Sequence, residues 1–448
     1  MYVRFSELDG ARIGVWGAGR EVGSFAAQLA RRLPSARIAV AAFDEPPARD
    51  EVRRALRSPD VRVLSAEEAV AGLADCEVIV RSPGVSAHRP ELRELRAGGV
   101  PVTTPTALWL AEHGGEGVIG VTGTKGKSTT AALVHHLARA AVRTVELAGN
   151  IGVPALDLLD REPPELVVLE LSSYQIADLH SGPEVALFTN LFREHADWHG
   201  SEEAYRADKL RLLDLPGVRV AVLNGRDAAL QAVAPAAEVR RYGVPGGWDL
   251  GARGIVRDGV PTLDFAELPL LGAHNALNLC GALAALEAIG IPLPPLGEAL
   301  AGFGPLPHRL ETVAELDGVI WVNDSISTTP ESAIAALSSF PGREIILLGG
   351  GQDRGQDYGE LGRVLLDRGA TVIGIPSTGS RLVAAAKAAG VPAARAIEAP
   401  DMAAAVALAR GLGRPGAVVL LSPAAPSFDS YRDFEERGER FRELATTS

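Results

Sequence analysis

The stretch Gly117–Leu137, "GVIGVTGTKGKSTTAALVHHL", constrains the chain more than any other. A short apolar run leads into a glycine-rich turn, and the turn leads into an Ala/Leu-rich helical pattern. A strand feeding a helix through such a turn aims several backbone N–H groups at one point, and the helix dipole adds positive potential there, so the turn suits a phosphate. Lys127 is placed to reach the outer phosphates of a nucleotide and Ser128 to hold Mg²⁺. The general phosphate-loop pattern has a glycine five residues before Gly126, and this sequence has Val121 there.

The rest of the chain repeats the strand–turn–helix theme. Strand-like runs such as "IAVAAFD", "EVIVRSPG", "LVVLELSS", "RVAVLNG" and "AVVLLSP" alternate with helical stretches, as parallel βαβ units do. At 448 residues the chain is too long for one ordinary core, and its length argues for about two to four domains. Gly/Pro-rich changes of pattern at 95–105 and 300–311 place the boundaries. The expected fold class is α/β with three domains: a Rossmann-like N-terminal domain (1–98), a central P-loop ATPase-like parallel-sheet domain (99–303) and a C-terminal Rossmann-like domain (304–448). A net charge of −12 argues against nucleic acid and anionic membrane surfaces as partners. Two cysteines, far apart and in apolar surroundings, indicate a reducing cytoplasm rather than a disulfide framework. No signal-peptide pattern opens the chain and no apolar run approaches membrane-spanning length, so a soluble cytoplasmic protein is expected.

Three further stretches carry polar side chains where chemistry could be done. Glu170 ends the strand of "LVVLELSSYQ", where it can face the phosphate loop and ligate the Mg²⁺ held by Ser128. The segment 189–213, "TNLFREHADWHGSEEAYRADKLRLL", offers Glu194, His195, Asp197 and His199 as metal ligands, and spacing alone does not choose among them. Its Lys209 reads, by pattern alone, as a surface lysine on an amphipathic helix. In "GVWGAGREVG" (14–23) the glycines Gly17, Gly19 and Gly23 follow a strand, which suits a dinucleotide site with Asp44 on the ribose and equally a nucleoside-diphosphate site.

"GVTGTKGKST" resembles the phosphate loop of the Mur ligases and the related folylpolyglutamate synthases, and the resemblance to the MurD type extends over essentially the whole chain. It is carried by "ELSSYQ", "NLFREHADWH", "YRADKL", "GAHNALN", "AGNIG", "RSPGVS", "PHRLE", "VNDS" and "LLSPAAPSFDSYRDFEERG". The resemblance implies an ATP-dependent amide-bond-forming ligase of peptidoglycan-precursor synthesis. It would activate UDP-N-acetylmuramoyl-L-alanine as an acyl phosphate and add glutamate to it. ATP would contact Gly123, Thr124, Lys125, Gly126, Lys127, Ser128 and Thr129, with Asn275, Asn278, His308, Arg309 and Asp324. Two Mg²⁺ ions would be held by Ser128, Glu170, His195 and Lys209, the last as a carbamate formed with CO₂. Lys127, Glu170, His195 and Lys209 would be the catalytic set. The UDP-sugar end would fall on Gly19, Arg20, Ser82, Pro83 and Gly84, with Asp44 near the uracil and Asn150 near the transferred phosphate. Glutamate would meet Thr328, Arg354, Ser427, Phe428 and Phe434.

The folylpolyglutamate type shares the central stretches but does not account for the N-terminal "GAGREVG…SPG" segment. A nucleotide switch or NAD-binding regulator would need neither the carbamate lysine nor the C-terminal carboxylate pocket. Arg354 stands where MurD-type enzymes usually have lysine, and "DSISTTP" (324–330) resembles the subfamily that adds L-glutamate, whose product passes to a separate epimerase. L-glutamate is therefore expected over D-glutamate, in a monomeric enzyme.

Overall fold

The computed structural model describes residues 3–44, 46–192, 196–270, 272–293, 295–304, 306–353, 355–427 and 429–447. They form two compact units, Met1–Phe303 and Gly304–Ser448.

The first unit holds two parallel sheets. Strands β1 (Arg12–Trp16), β2 (Arg37–Phe43), β3 (Arg62–Ser65), β4 (Val78–Arg81) and β5 (Val102–Thr103) pair in the order β3-β2-β1-β4-β5. Strands β6 (Val118–Thr122), β7 (Val145–Gly149), β8 (Leu166–Glu170), β9 (Val185–Phe188), β10 (Val220–Asn224) and β11 (Glu238–Tyr242) pair as β11-β10-β9-β6-β8-β7. Every residue of β6, β8, β9 and β10 is buried. These strands are covered on both faces, which is why they read as continuous apolar runs rather than as alternating ones. In each sheet the strand order reverses beside the strand that carries a glycine turn: β1 in one and β6 in the other. Ligand crevices in open α/β sheets lie outside the carboxyl ends of the strands at such a point.

Strands β12 (Trp248–Leu250), β13 (Gly254–Arg257) and β14 (Val260–Asp264) form a small antiparallel sheet before the long helix Ala273–Ala288. This departs from the uniformly parallel expectation. The turn between β13 and β14 is Asp258-Gly259, with φ of +52° and +80°. Positive φ at both central residues is the type I′ hairpin geometry that matches strand twist.

The second unit is built on β15 (Glu311–Leu316), β16 (Val319–Asn323), β17 (Ile345–Gly349), β18 (Thr371–Gly374), β19 (Ala396–Glu398) and β20 (Val418–Leu421), ordered β15-β16-β20-β17-β18-β19. All are parallel except the edge strand β15. No helix among the described residues is long and apolar enough to cross a membrane.

Candidate active site

The glycine turn after β6 is fixed by close contact on both sides. At Gly123 φ is +145°, and a Cβ there would stand 1.9 Å from Thr189 Oγ1. At Gly126 φ is +82°, and a Cβ would meet Asn278 Oδ1 at 2.7 Å. The turn therefore lies directly against the start of the helix that carries Asn275 and Asn278, and Asn278 Nδ2 donates to Asn275 Oδ1 at 3.2 Å. Lys127 begins the helix Lys127–Arg139, and its Nζ donates to Thr124 O at 2.9 Å. Ser128 and Thr129 follow it, both buried.

Residues after β9 clamp this turn, and the sequence reading missed them. Asn190 Oδ1 accepts from Lys125 N at 2.7 Å while its Nδ2 donates to Lys125 O at 2.9 Å. Thr189 Oγ1 donates to the same carbonyl at 2.6 Å. Tyr205 OH lies 2.8 Å from Thr124 Oγ1. The available signal was positional, since polar residues directly after a buried parallel strand stand at its carboxyl end.

Lys209 is not on the surface. It is 2% exposed, and its Nζ donates to Gly123 O at 2.8 Å. The helix Glu202–Leu210 turns its buried Tyr205 and Lys209 to the phosphate turn and its acidic first turn to solvent.

Glu170, at the end of β8, is fully buried. Its Oε1 accepts from Asn150 Nδ2 at 2.8 Å, and its backbone O accepts from Asn150 N at 3.0 Å. Oε2 has no hydrogen-bond partner among the described residues. A buried carboxylate oxygen without a donor is costly, and a hard cation would satisfy it. With the hydroxyl of Ser128, the oxygen donors present suit Mg²⁺. His195 lies outside the described residues, as do Arg354 and Phe428.

A second cluster sits nearby. Asp208 Oδ2 is 2.7 Å from His199 Nδ1 and 2.5 Å from His88 Nε2, and His199 Nε2 is 3.0 Å from Ser173 Oγ. Although burial opposes it, the hydrogen bonds from His199 and His88 hold the Asp208 carboxyl below its usual range.

At the N-terminal sheet the turn after β1 meets the turn after β4. Ser82 N donates to Trp16 O at 2.8 Å, and a Cβ on Gly19 would stand 2.9 Å from Ser82 Oγ. Arg81, wholly buried, gathers the carbonyls of Ser82, Pro83 and Val85, pairs with Asp178 at 2.6 Å and reaches Tyr174 O. The Ser82-Pro83-Gly84 turn thus draws its acceptors inward onto a cation, which leaves it suited to face an anion. Gly84 O accepts from Trp198 Nε1 at 3.2 Å. Asp44 pairs with Arg89 at 2.5 Å, and the Arg89 guanidinium lies 4.9 Å from the Trp16 ring centre. Arg20 turns to carbonyls at the end of β7 and in the loop after it.

In the second unit the loops after β16, β17 and β20 meet at the carboxyl edge. Asp324 N donates to Leu421 O, Ala424 N to Ser327 O and Gln352 N to Pro426 O. Asp324 is buried and accepts from Ser327 Oγ at 2.5 Å, Ser422 Oγ at 2.8 Å and Leu310 N at 3.2 Å. Burial pushes its carboxyl up to about 6, against those hydroxyl bonds. The His308 ring is buried in this unit, with Nδ1 3.0 Å from Asn323 Nδ2 and φ of +61°, and Arg309 continues the same turn. Thr328 is half-buried, and Thr329 caps the helix Pro330–Ser338 by accepting from Ser332 N. Ser427 is buried, and Phe434 opens the last helix, 6.1 Å from the His308 ring.

The sequence matches the "Mur ligase middle domain" family over residues 121–286 and the "Mur ligase, glutamate ligase domain" family over 308–425. It is 42% identical to the UDP-N-acetylmuramoyl-L-alanine--L-glutamate ligase of Xanthomonas campestris pv. campestris (strain 8004), over 99% of this chain and 97% of that protein. It is 43% identical to the protein of the same name from Micromonospora sp. (strain ATCC 39149 / NRRL 15099 / SCC 1413), over 98% of each. Among solved structures it resembles MurF ligase from Thermotoga maritima in complex with ADP, with a TM-score of 0.59 at 18% identity over 99% of this chain and 97% of that one. It also resembles E. coli FolC in complex with DHPP and ADP, with a TM-score of 0.56 at 18% identity over 73% of this chain and 88% of that one. With two family domains matched in order and close relatives aligned from end to end, the chain belongs to the Mur ligase family.

Proposed function

We propose that this Mur ligase joins glutamate, as the L-isomer, to the carboxyl group of UDP-N-acetylmuramoyl-L-alanine at the expense of ATP. The observation that carries the reading is 42–43% identity, over nearly all of both chains, to proteins named for that reaction with L-glutamate. The α/β sheets divide into domains at 303/304 and, in place of 98/99, after β5, because that strand pairs with β4 of the N-terminal sheet. The enzyme acts as a cytoplasmic monomer, and an epimerase acts on its product.

ATP supplies a phosphoryl group to the alanine carboxylate, and the glutamate amine then displaces phosphate from the acyl phosphate. Lys127 and the turn of residues 123–129 hold the outer phosphates and offset charge as it spreads in transfer. Two Mg²⁺ ions would be held by Ser128, Glu170, His195 and a Lys209 carbamate, and would offset the charge of the phosphates. Lys209 would add CO₂ as its neutral amine, releasing a proton. The carbamate nitrogen keeps one hydrogen, so the bond to Gly123 O survives the modification. Asn150 orients Glu170. Asn275, Asn278, His308, Arg309 and Asp324 serve the nucleotide. Gly19, Ser82, Pro83, Gly84 and Asp44 serve the UDP-sugar, and Thr328, Arg354, Ser427, Phe428 and Phe434 serve glutamate.

Phosphate release from ATP should require both UDP-N-acetylmuramoyl-L-alanine and glutamate, with kcat/KM higher for L- than for D-glutamate. Turnover that persists without either substrate would reject the ligase reading. Equal or better use of D-glutamate would reject the stereochemical part alone.

A further inference from the structure

The helix after β1 (Arg20–Arg32) opens on two adjacent charged residues that reach away from their own sheet. Arg20 NH2 donates to Gly149 O at 2.8 Å and to Asn150 O at 3.0 Å, and NH1 donates to Gly152 O at 3.2 Å. Gly149 ends β7, and Asn150 and Gly152 belong to the loop after it. Glu21, only 8% exposed, accepts from Gln175 Nε2 at 2.7 Å and from Thr106 Oγ1 at 2.8 Å. Gln175 belongs to the segment after β8, and its Oε1 is held by Ser172 N at 2.8 Å and Ser172 Oγ at 2.9 Å. Its amide is therefore committed at both ends, and its N–H group is directed at Glu21.

The two loops gripped in this way are the ones that meet at Glu170. Asn150 is tied to Glu170 through its backbone and its side chain, and Glu170 Oε2 is left bare among the described residues. A guanidinium is a rigid planar fork, so three carbonyls of one stretch around it fix that stretch's path. Gly149 has no slack to offer, because φ there is +99° and a Cβ would stand 2.3 Å from Glu170 O.

We infer that Arg20 and Glu21 are positioning residues for the metal–phosphate site. Arg20 sets the Asn150 loop and through it the orientation of the Glu170 carboxylate, while Glu21 sets the segment after β8 through Gln175. Arg20 then acts on the metal end of the reaction rather than as a ligand of the UDP group. This rests on the reading of Glu170 as a Mg²⁺ ligand.

The test measures Mn²⁺ binding to the full-length protein with a non-hydrolysable ATP analogue, followed by the electron paramagnetic resonance signal of the free ion. It is paired with the KM values for Mg²⁺ and UDP-N-acetylmuramoyl-L-alanine. Arg20→Ala should weaken Mn²⁺ binding about tenfold, the lower end of what loss of a ligand-orienting partner costs. It should raise the KM for Mg²⁺ in parallel and leave the KM for the UDP substrate within about twofold, below the effect of one lost charged contact. Glu21→Leu, which removes the acceptor of Gln175 Nε2, should shift Mn²⁺ binding in the same direction. If Arg20→Ala does not fold, Arg20→Lys carries the same test, since an ammonium keeps the charge without the fork. Unchanged Mn²⁺ affinity with a raised KM for the UDP substrate would overturn the inference and make Arg20 a substrate contact. Glu170→Gln separates the two levels. If it binds Mn²⁺ as tightly as the unaltered protein, the metal reading itself fails and the inference falls with it. If it binds weakly while Arg20→Ala binds normally, only the inference fails.

Discussion

Substitution of Lys209 sets burial against chemistry at one atom. The side chain is 2% exposed and its Nζ donates to Gly123 O at 2.8 Å, on the glycine turn after β6. Lys209→Met keeps the length and apolar volume but removes the donor. A buried carbonyl that loses its partner costs about 1–3 kcal/mol, a loss that a unit of ordinary stability, about 5–15 kcal/mol, survives. The variant should therefore fold. Its ligation rate should fall by at least about 10²-fold, the scale of one electrostatic contact to developing charge. Lys209→Arg should be equally inactive, because a guanidinium does not form the carbamate and is also overpacked in a site with no exposed volume. Lys209→Ala leaves room for a small acid, so formate or acetate should restore part of its activity by returning an anionic oxygen to the site. The unaltered enzyme should slow in CO₂-free buffer and recover with bicarbonate, and ¹³C-bicarbonate should give a carbamate resonance that Lys209→Met lacks. An active Lys209→Arg enzyme would refute the reasoning, because positive charge rather than the carbamate would then be what the site uses. Indifference of the unaltered enzyme to CO₂ would refute it as well.

Gly123→Ala should abolish nucleotide binding, measured by calorimetry with ADP, because its Cβ would fall 1.9 Å from Thr189 Oγ1 at a backbone angle side chains avoid; retained ADP affinity would show that the turn adapts. Gly438→Ala places a Cβ 2.1 Å from His308 Nδ1, so it should displace that ring and lower the melting temperature of the second unit, whereas an unchanged melting curve would mean the ring has room to move. Asp324 has a folded pKa of about 6 against an ordinary 3.8, so between those values the folded state keeps a proton that the unfolded state has released. Stability of the second unit should therefore fall by about 3 kcal/mol as pH rises through that window, at 1.36 kcal/mol per unit; Asp324→Asn should flatten the slope in denaturant titrations, and an unaltered slope would sink the assignment.

What the sequence disclosed follows from how far apart the interacting residues lie. The glycine turn after β6 was legible as a strand–turn–helix because strand, glycines, Lys127 and helix are contiguous. The three parallel sheets were legible because strands buried on both faces read as unbroken apolar runs. The β12–β14 sheet was missed although Asp258-Gly259 announced its hairpin, since short strands of mixed polarity look like a loop when only parallel units are sought. Lys209 was unreadable by pattern. It sits on an amphipathic helix like any surface lysine, and its burial is decided by Gly123, 86 positions away. Asn190 and Gln175 escaped for the same reason, because a side-chain amide shows its partner only once the strands are assembled. Arg20 is the instructive case. Beside a glycine turn a cation suggests a phosphate ligand, yet its guanidinium is occupied by carbonyls about 130 residues away. The "DSISTTP" loop teaches the converse. Thr329 in this loop serves as a helix cap, its side-chain oxygen accepting from Ser332 N, so a residue in a stretch read for substrate choice has a local structural role.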